Sequence, residues 1–410
     1  MSHEEKAERE LYACGYNGFE QLPLIDPKYE KSQAVLYPAQ CIFCPPYGAQ
    51  LRHCLSVSWS SCSLNKGKEV LHNGFSFNQA KRKDIIRSEN RILSIHSFKG
   101  SLFATASTPR NILVQRSPNN FEIAKIEDRD GRGIKAVYLD SDVNDIFVLS
   151  ETDTGILEQS GGMFIYRTVF SEDQVDVLSC GKEHVLLLTK SGMVFSFGAG
   201  SRGQLGHGVV EDKLQTPSQV DAIAAIPITG ISAGGWHSTA VSEYGDLYIW
   251  GWNESGQLGF PKQTEKAKST SCSPVAKKRR WSGKDEASKD EMTGNSSAKE
   301  EDISVQDIGT EEDSLAVTFL MSPQILDMSP PNEVLIKSAS CGSRHTAALT
   351  SDGHLYTWGS GRWGQLGHGN EWTQDTPTRV ERFADGGCRV VDVYCREWNT
   401  FFVVKNDISQ

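Results

Sequence analysis

The chain has 410 residues, a formal net charge of −10 and 38% apolar residues. That length suits two or three ordinary domains or one large repeat or barrel architecture, and the acidic balance speaks against a protein that grips DNA through phosphate contacts, which needs a clustered positive face. The charged start MSHEEKAERE lacks the apolar segment of a secretory signal, and no run of apolar residues is long enough to span a bilayer. The ten cysteines are therefore expected to be reduced and mostly buried in a cytosolic or nuclear protein.

In chain order, LYACGYNGFEQL (11–22) comes first: a strand running into a glycine turn. CIFCPPYGAQLRHC follows, with Cys41 and Cys44 as a CxxC and His53–Cys54 nearby. These residue types suit zinc, but the second half lacks zinc-site spacing, so a proline-containing loop with reduced thiols is expected. LSVSWSSCSL (55–64), ILSIHSFKGSLFATA (92–106) and VYLDSDVNDIFVL (137–149) then show strand rhythm without further marks.

From residue 174 the pattern sharpens. CGKEHVLLLTKSGMVFSFGAGSRGQLGHG (180–208), AGGWHSTAVSEYGDLYIWGWNESGQLG (233–259) and CGSRHTAALTSDGHLYTWGSGRWGQLGHG (341–369) are copies of one unit, and CREWNTFFVV at Cys395 begins a fourth. The spacing is roughly 50 residues, with one interval about twice as long, the signature of a propeller or similar array. Each copy reads as an apolar strand of small side chains, a glycine hairpin turn (Gly192, Gly245, Gly353) and an alternating strand ending in glycine. Phe197, Trp250 and Trp358 fall where widening blades need larger filling.

Residues 11–22 match 355–366 (LYTWGSGRWGQL) without a gap, whereas 389–404 resemble the first half of a copy. The two chain ends together complete one unit, and their pairing would close a ring and remove exposed sheet edges. Counting first strands near 55, 92, 137, 180, 233, 341 and 395 predicts an all-β, seven-bladed β-propeller. It forms a single domain over 1–410, with degenerate blades at about 24–170 and regular repeats at about 174–259 and 334–404. A closed ring needs no second copy, so a monomer is expected.

The doubled interval leaves an insert, about 261–315, that is polar, charged, serine-rich and nearly free of aliphatic residues. Such a segment cannot bury enough surface to offset its ordering entropy and is predicted to be a disordered acidic loop. Within it Lys277, Lys278, Arg279 and Arg280 follow Pro274 as an isolated basic block, read as a nuclear localisation signal. Ser271, Ser273 and Ser282 are placed to tune it by phosphorylation.

His184, His237 and His345 hold one place in successive copies, so a ring would spread them apart and deny them a common metal. Their expected role is structural, each tying its own blade to backbone, with Asn399 in the equivalent place of the closing copy. GxSxG, a Walker loop and HExxH are absent, and the glycine-rich segments end strands where a phosphate cradle would open a helix. A non-enzyme without cofactor or metal is expected. Interface function then falls on loops: Trp236, Trp252, Trp363 and Trp398 lie near them, with Arg202, Arg344 and Arg362 beside. Trp252, Trp363, Arg202 and Arg362 are the residues read as partner-binding, since tryptophan and arginine are the commonest interface anchors.

The cysteine or alanine, glycine, histidine and terminal GQLG marks resemble the repeats of the regulator of chromosome condensation family, over 174–259, 334–404 and 11–22. The split closing unit and the polar insert resemble the family's single-propeller members. The resemblance implies a nuclear, chromosome-associated interaction scaffold. It further implies a JmjC-domain oxygenase (histone demethylase or hydroxylase) as partner, and roles in heterochromatin repression and chromosome segregation. The irregular part, about 1–169, is expected to seat that partner, because its residues are released from the repeat pattern; histones are a further expected partner. The alternative is guanine-nucleotide exchange on a small GTPase of the Ran type, as in the founding member, but this chain lacks that member's basic N-terminal tail.

Overall fold

A computed structural model of the chain describes residues 9–260 and 318–406. Short breaks fall at 19, 30–31, 43, 45–49, 59–60, 67, 76–80, 90, 99–100, 107–111, 118–119, 124–125, 128–133, 140–145, 151, 161–162, 329–333 and 384–386. The predicted insert and its basic block, Lys277 to Arg280, lie outside the described residues.

The described strands build an all-β propeller. The inner strands succeed one another around a ring: Leu55–Val57, Ile92–Phe98, Ile134–Leu139, Val175–Cys180, Ile228–Ala233, Ile336–Cys341 and Cys388–Arg396. A helical turn, Leu51–Cys54, packs on the last of them and on Ile92–Phe98.

Three regular blades are four-stranded meanders. The first runs Val175–Cys180, His184–Thr189, Val194–Gly200, Glu211–Gln219; the second Ile228–Ala233, His237–Ser242, Leu247–Trp252, Phe319–Ile325; the third Ile336–Cys341, His345–Thr350, Leu355–Gly359, Gln374–Arg379. The run HTAALT is thus the second strand of its blade, and the innermost strand is the short segment ending at Cys341. HVLLLT, HSTAVS and HTAALT are buried at every position. They are sandwiched between neighbouring blades, so the alternation of a one-sided sheet disappears. The apolar clusters lie at the blade junctions: Val177, Leu186 and Leu188 of the first blade pack with Ile231, Ala240 and Trp250 of the second. Each fully buried side chain of this kind contributes about 1.5–3 kcal/mol.

The closing sheet has the order Ala34–Gln40, Arg9–Tyr16, Asn399–Asn406, Cys388–Arg396. The N-terminal strand pairs with the C-terminal one from Arg9↔Lys405 to Gly15↔Asn399.

Among the described residues six sheets form where seven blades were expected. The meanders starting at Leu55 and Ile92 are joined into one eight-stranded sheet, because their outermost strands Lys81–Arg87 and Asn120–Ile123 pair in parallel at Arg87↔Asn120. The physical reason lies in the edges. The outermost strands of the regular blades and of the closing sheet carry Pro217, Pro323, Pro377 and Pro38, and proline denies a neighbouring strand its N–H donor. KRKDIIR and NFEI have no proline. The five-stranded sheet repeats the lesson: its proline-free outer strand Met163–Phe170 takes on Ile126–Glu127 in parallel.

Candidate protein-docking surface

The regular blades are fastened to one another by repeated junctions that aim the loops between first and second strands at one face. On the inside, a serine near the end of each inner strand accepts the next blade's backbone N–H: Ser179 from Ala233 at 2.9 Å, Ser232 from Cys341 at 2.9 Å, Ser340 from Cys395 at 2.8 Å. Farther out the histidines act. His184 Nε2 lies 2.8 Å from Ser238 Oγ, His237 Nε2 3.0 Å from Thr346 Oγ1 and His345 Nε2 2.9 Å from Thr400 Oγ1. Those hydroxyls donate to the carbonyls of Gln204, Gln257 and Gln365 at 2.9, 2.8 and 2.7 Å. A hydroxyl that spends its proton on a carbonyl accepts from the imidazole, so each Nε2 carries hydrogen. The carbonyls of Gln204 and Gln257 also receive the Nε1–H of Trp250 and Trp358, both at 2.9 Å.

The histidines therefore bind the following blade, not their own as expected from the sequence. Each sits at its own junction, and burial lowers each imidazole to a pKa of about 3, keeping it neutral. Asn399, in the fourth place, is fully buried, and among the described residues its amide has no partner.

On the loop face these junctions set up a stack of cations and indoles. Lys182 Nζ lies 5.2 Å from the Trp236 ring centre. The Arg202 guanidinium is 4.8 Å from Trp236 and 4.9 Å from Trp252, whose rings meet edge to face at 5.3 Å. Arg344 lies 5.0 Å from the other end of the row, at Trp252. Two carboxylates brace it: Glu183 accepts Trp236 Nε1–H at 2.8 Å and pairs with Arg202 at 3.6 Å, and Glu254 takes Arg344 Nη1 at 2.7 Å. Each cation–indole contact is worth about 0.5–1 kcal/mol at a partly exposed site. The larger consequence is order, since long side chains already held in place lose less entropy when a partner docks.

Two of the four sequence-selected residues, Arg202 and Trp252, meet in this row. Arg362 and Trp363 form a separate cluster, 5.4 Å apart, with Tyr16 edge-on to Trp363 at 5.0 Å. Arg362 is not the counterpart of Arg202: the backbone N–H of Arg202, Ser255 and Trp363 each bonds the Oε1 of a glutamine two residues on, at 2.8 Å, which makes those three equivalent. Trp252 and Trp363 are half-buried, and among the described residues the tryptophan standing clear of the surface is Trp372, 73% exposed. Sequence reasoning passed over Lys182, Glu183, Glu254 and Trp372. A signal for the first three existed: Lys182 and Glu183 precede His184 as Arg344 precedes His345, and Glu254 follows the third-strand glycine Gly251 as Arg202 follows Gly198.

Among the described residues no group of three or more His, Cys, Asp or Glu side chains could hold a metal ion. Burial raises the Cys41 thiol well above its usual value, Cys54 to about 11 and Cys62 to about 12, and lowers His53 to about 4. These thiols are protonated and packed in or against the core. Among the described residues no helix is long and apolar enough to cross a membrane.

The Regulator of chromosome condensation (RCC1) repeat profile matches residues 191–241 and 352–403, and a second RCC1 repeat profile matches 175–204, 228–257 and 336–365. The chain is similar to RCC1 domain-containing protein 1 of Mus musculus and of Homo sapiens, 41% identical over 240 and 239 residues, covering 58% of this chain and 58% of each relative. It thus matches little more than half the length of these curated relatives. Among solved structures, Prp20p from Saccharomyces cerevisiae, a protein described by its binding properties to Gsp1p and histones, superposes with a TM-score of 0.67 at 17% identity, covering 98% of this chain and 92% of that one. That likeness is one of fold.

Proposed function

We propose that this chain, whose regular blades match RCC1 repeats, is a non-enzymatic interaction module that docks a protein partner on the face bearing Lys182, Arg202, Trp236, Trp252 and Arg344. The observation that carries this reading is the pair of half-buried indoles in edge-to-face contact, flanked by guanidinium groups and already ordered by Glu183 and Glu254. Aromatic and arginine anchors of this kind dominate binding energy at protein interfaces, and nothing in the row resembles a nucleophile with its base.

The partner proposed is the JmjC-domain oxygenase that the resemblance implies, in a nuclear, chromosome-associated setting; residues 1–169 are a second proposed contact region for it. Intact chain used as bait in nuclear extract, beside an Arg202→Ala/Trp252→Ala variant, tests both parts. A JmjC oxygenase as main prey, weakened about tenfold or more by the variant, is the expected result. Equal capture by both baits removes the row from the interface, and a main prey of another kind removes the named partner.

The likeness of fold to Prp20p favours one alternative, a small-GTPase partner of the Gsp1p or Ran kind. Accelerated release of labelled nucleotide from Ran on addition of this chain decides it.

A further inference from the structure

The inner strands enclose a cavity of about 690 Å³, lined from the regular blades by Leu178–Cys180, Thr229–Ala233 and Lys337–Cys341 and from the closing sheet by Val391–Arg396. That is the size of a small-molecule site. Its charge is opposite to that of the chain. The lining includes Arg9, Arg52, Lys337, Arg396 and Lys405 but, among the described residues, a single carboxylate, Asp392, in a protein of net charge −10.

The two ends of this channel differ. Toward the docking face, Arg396 Nη1 reaches across to donate to the Cys180 carbonyl at 2.7 Å, over a narrow ring that includes Gly181, Gly234 and Gly342. The opposite end is wider and cationic. Lys337 lies at the start of its inner strand, whereas Arg344 of the docking face follows that strand's end. Arg9 and Lys405 are directly opposed in the closing sheet. Among the described residues no ion pair ties Arg52, Lys337 or Lys405; Lys337 Nζ donates only to the Val391 carbonyl, at 3.2 Å. Asp392 is a poor counter-charge: one of its oxygens accepts the Leu51 N–H at 2.9 Å, and burial raises its pKa despite the nearby Arg52 and Lys337.

We propose that the wide end of the central channel is a binding site for a compact, phosphate-bearing polyanion, held by Lys337, Lys405, Arg9 and Arg52. Low-dielectric walls focus the field of these cations on the lumen, and guanidinium groups match phosphate oxygens in pairs. The site is independent of the docking row and stands or falls separately from it.

Calorimetric titration of the full chain with tripolyphosphate and with inositol hexakisphosphate, in about 150 mM salt to screen diffuse attraction, tests the proposal. Saturable binding of one ligand per chain is expected. Lys337→Gln and Lys405→Gln should each weaken it about tenfold, while Arg344→Gln on the opposite face leaves it unchanged; thermal melting checks that all three fold. No saturable binding of either compound, or equal weakening by Arg344→Gln, overturns the proposal. So does tighter binding of an acidic peptide than of both phosphate compounds.

Discussion

In the regular blades each sheet is tied to the next by a serine hydroxyl, a histidine and a glutamine carbonyl. Between Leu55 and Phe170, among the described residues, side-chain ties also form within a sheet, beside the Asn65 amide's bond to the Ile92 carbonyl of the neighbouring meander at 3.1 Å. Ser63 Oγ meets His72 Nδ1 across two strands of one sheet at 2.8 Å. Asp153, buried, accepts from Tyr166 at 2.8 Å, from Thr168 at 2.9 Å and from Ser150 within another. The outer edges differ in parallel: proline guards the regular blades, and the unguarded edges of the irregular part pair further. Blade identity thus rests on two separate devices, one fixing neighbours together at the inside and one keeping them apart at the outside.

The largest break in this contrast should come from acid. The three junction histidines have folded-state values near 3, below the ordinary 6.5, so between those limits the unfolded chain takes up protons that the native one refuses. Their contribution is intact above pH 6.5 and falls by about 1.4 kcal/mol per histidine for each unit of acidification below it. Urea unfolding at a series of pH values should show this slope, and His345→Gln should flatten it by one histidine's share. An unchanged slope would remove the buried neutral imidazole from the explanation.

His237→Leu at neutral pH comes next, with an expected loss of about 2–3 kcal/mol, since it deletes a buried tie to Thr346. Ser63→Ala, in the irregular part, should cost about 1 kcal/mol, and equal losses for the two would erase the distinction between the regions. A smaller gain is expected from Glu20→Gly. Glu20 holds φ +51° where the equivalent Gly203, Gly256 and Gly364 have φ +75°, and releasing that strain should add about 1 kcal/mol in thermal melts. Least affected in stability is Pro217→Val, at a part-exposed position of an outer strand, with a change of about 0.5 kcal/mol or less. Its effect should appear in sedimentation instead, as concentration-dependent association through the reopened edge.

The regular blades were legible because the same residues do the same work in each: a glycine at the hairpin, an apolar second strand, a closing GQLG. The junctions were not, because each joins residues from different copies. One sign was present. The residue after the histidine, or after Asn399, is Ser238, Thr346 or Thr400 wherever the preceding blade supplies a histidine, and Val185 where residues 140–150 supply none. Likewise Cys62, paired with Val57 as Val185 is with Cys180, offers Asn399 no hydroxyl. The blade count failed for a reason that strand rhythm does not carry, since Lys81–Arg87 reads as a strand whether its far edge is bare or joined. The cation–indole row was half visible: Arg202 and Trp252 stood out by residue type, but their meeting beside Trp236 depends on the turn of one blade reaching over the end of the third strand of another.

The closing sheet also dictates a timetable. Arg9–Tyr16 is synthesised roughly 390 residues ahead of its neighbour Asn399–Asn406. At 5–20 residues per second the interval is roughly 20–80 s. Throughout it the early strand lacks the partner that covers one of its edges, and the apolar cluster that joins Leu11 and Ala13 to Phe401 and Val403 is incomplete. A chain that stops short of Asn399–Asn406 therefore leaves Arg9–Tyr16 with a bare edge and the ring open.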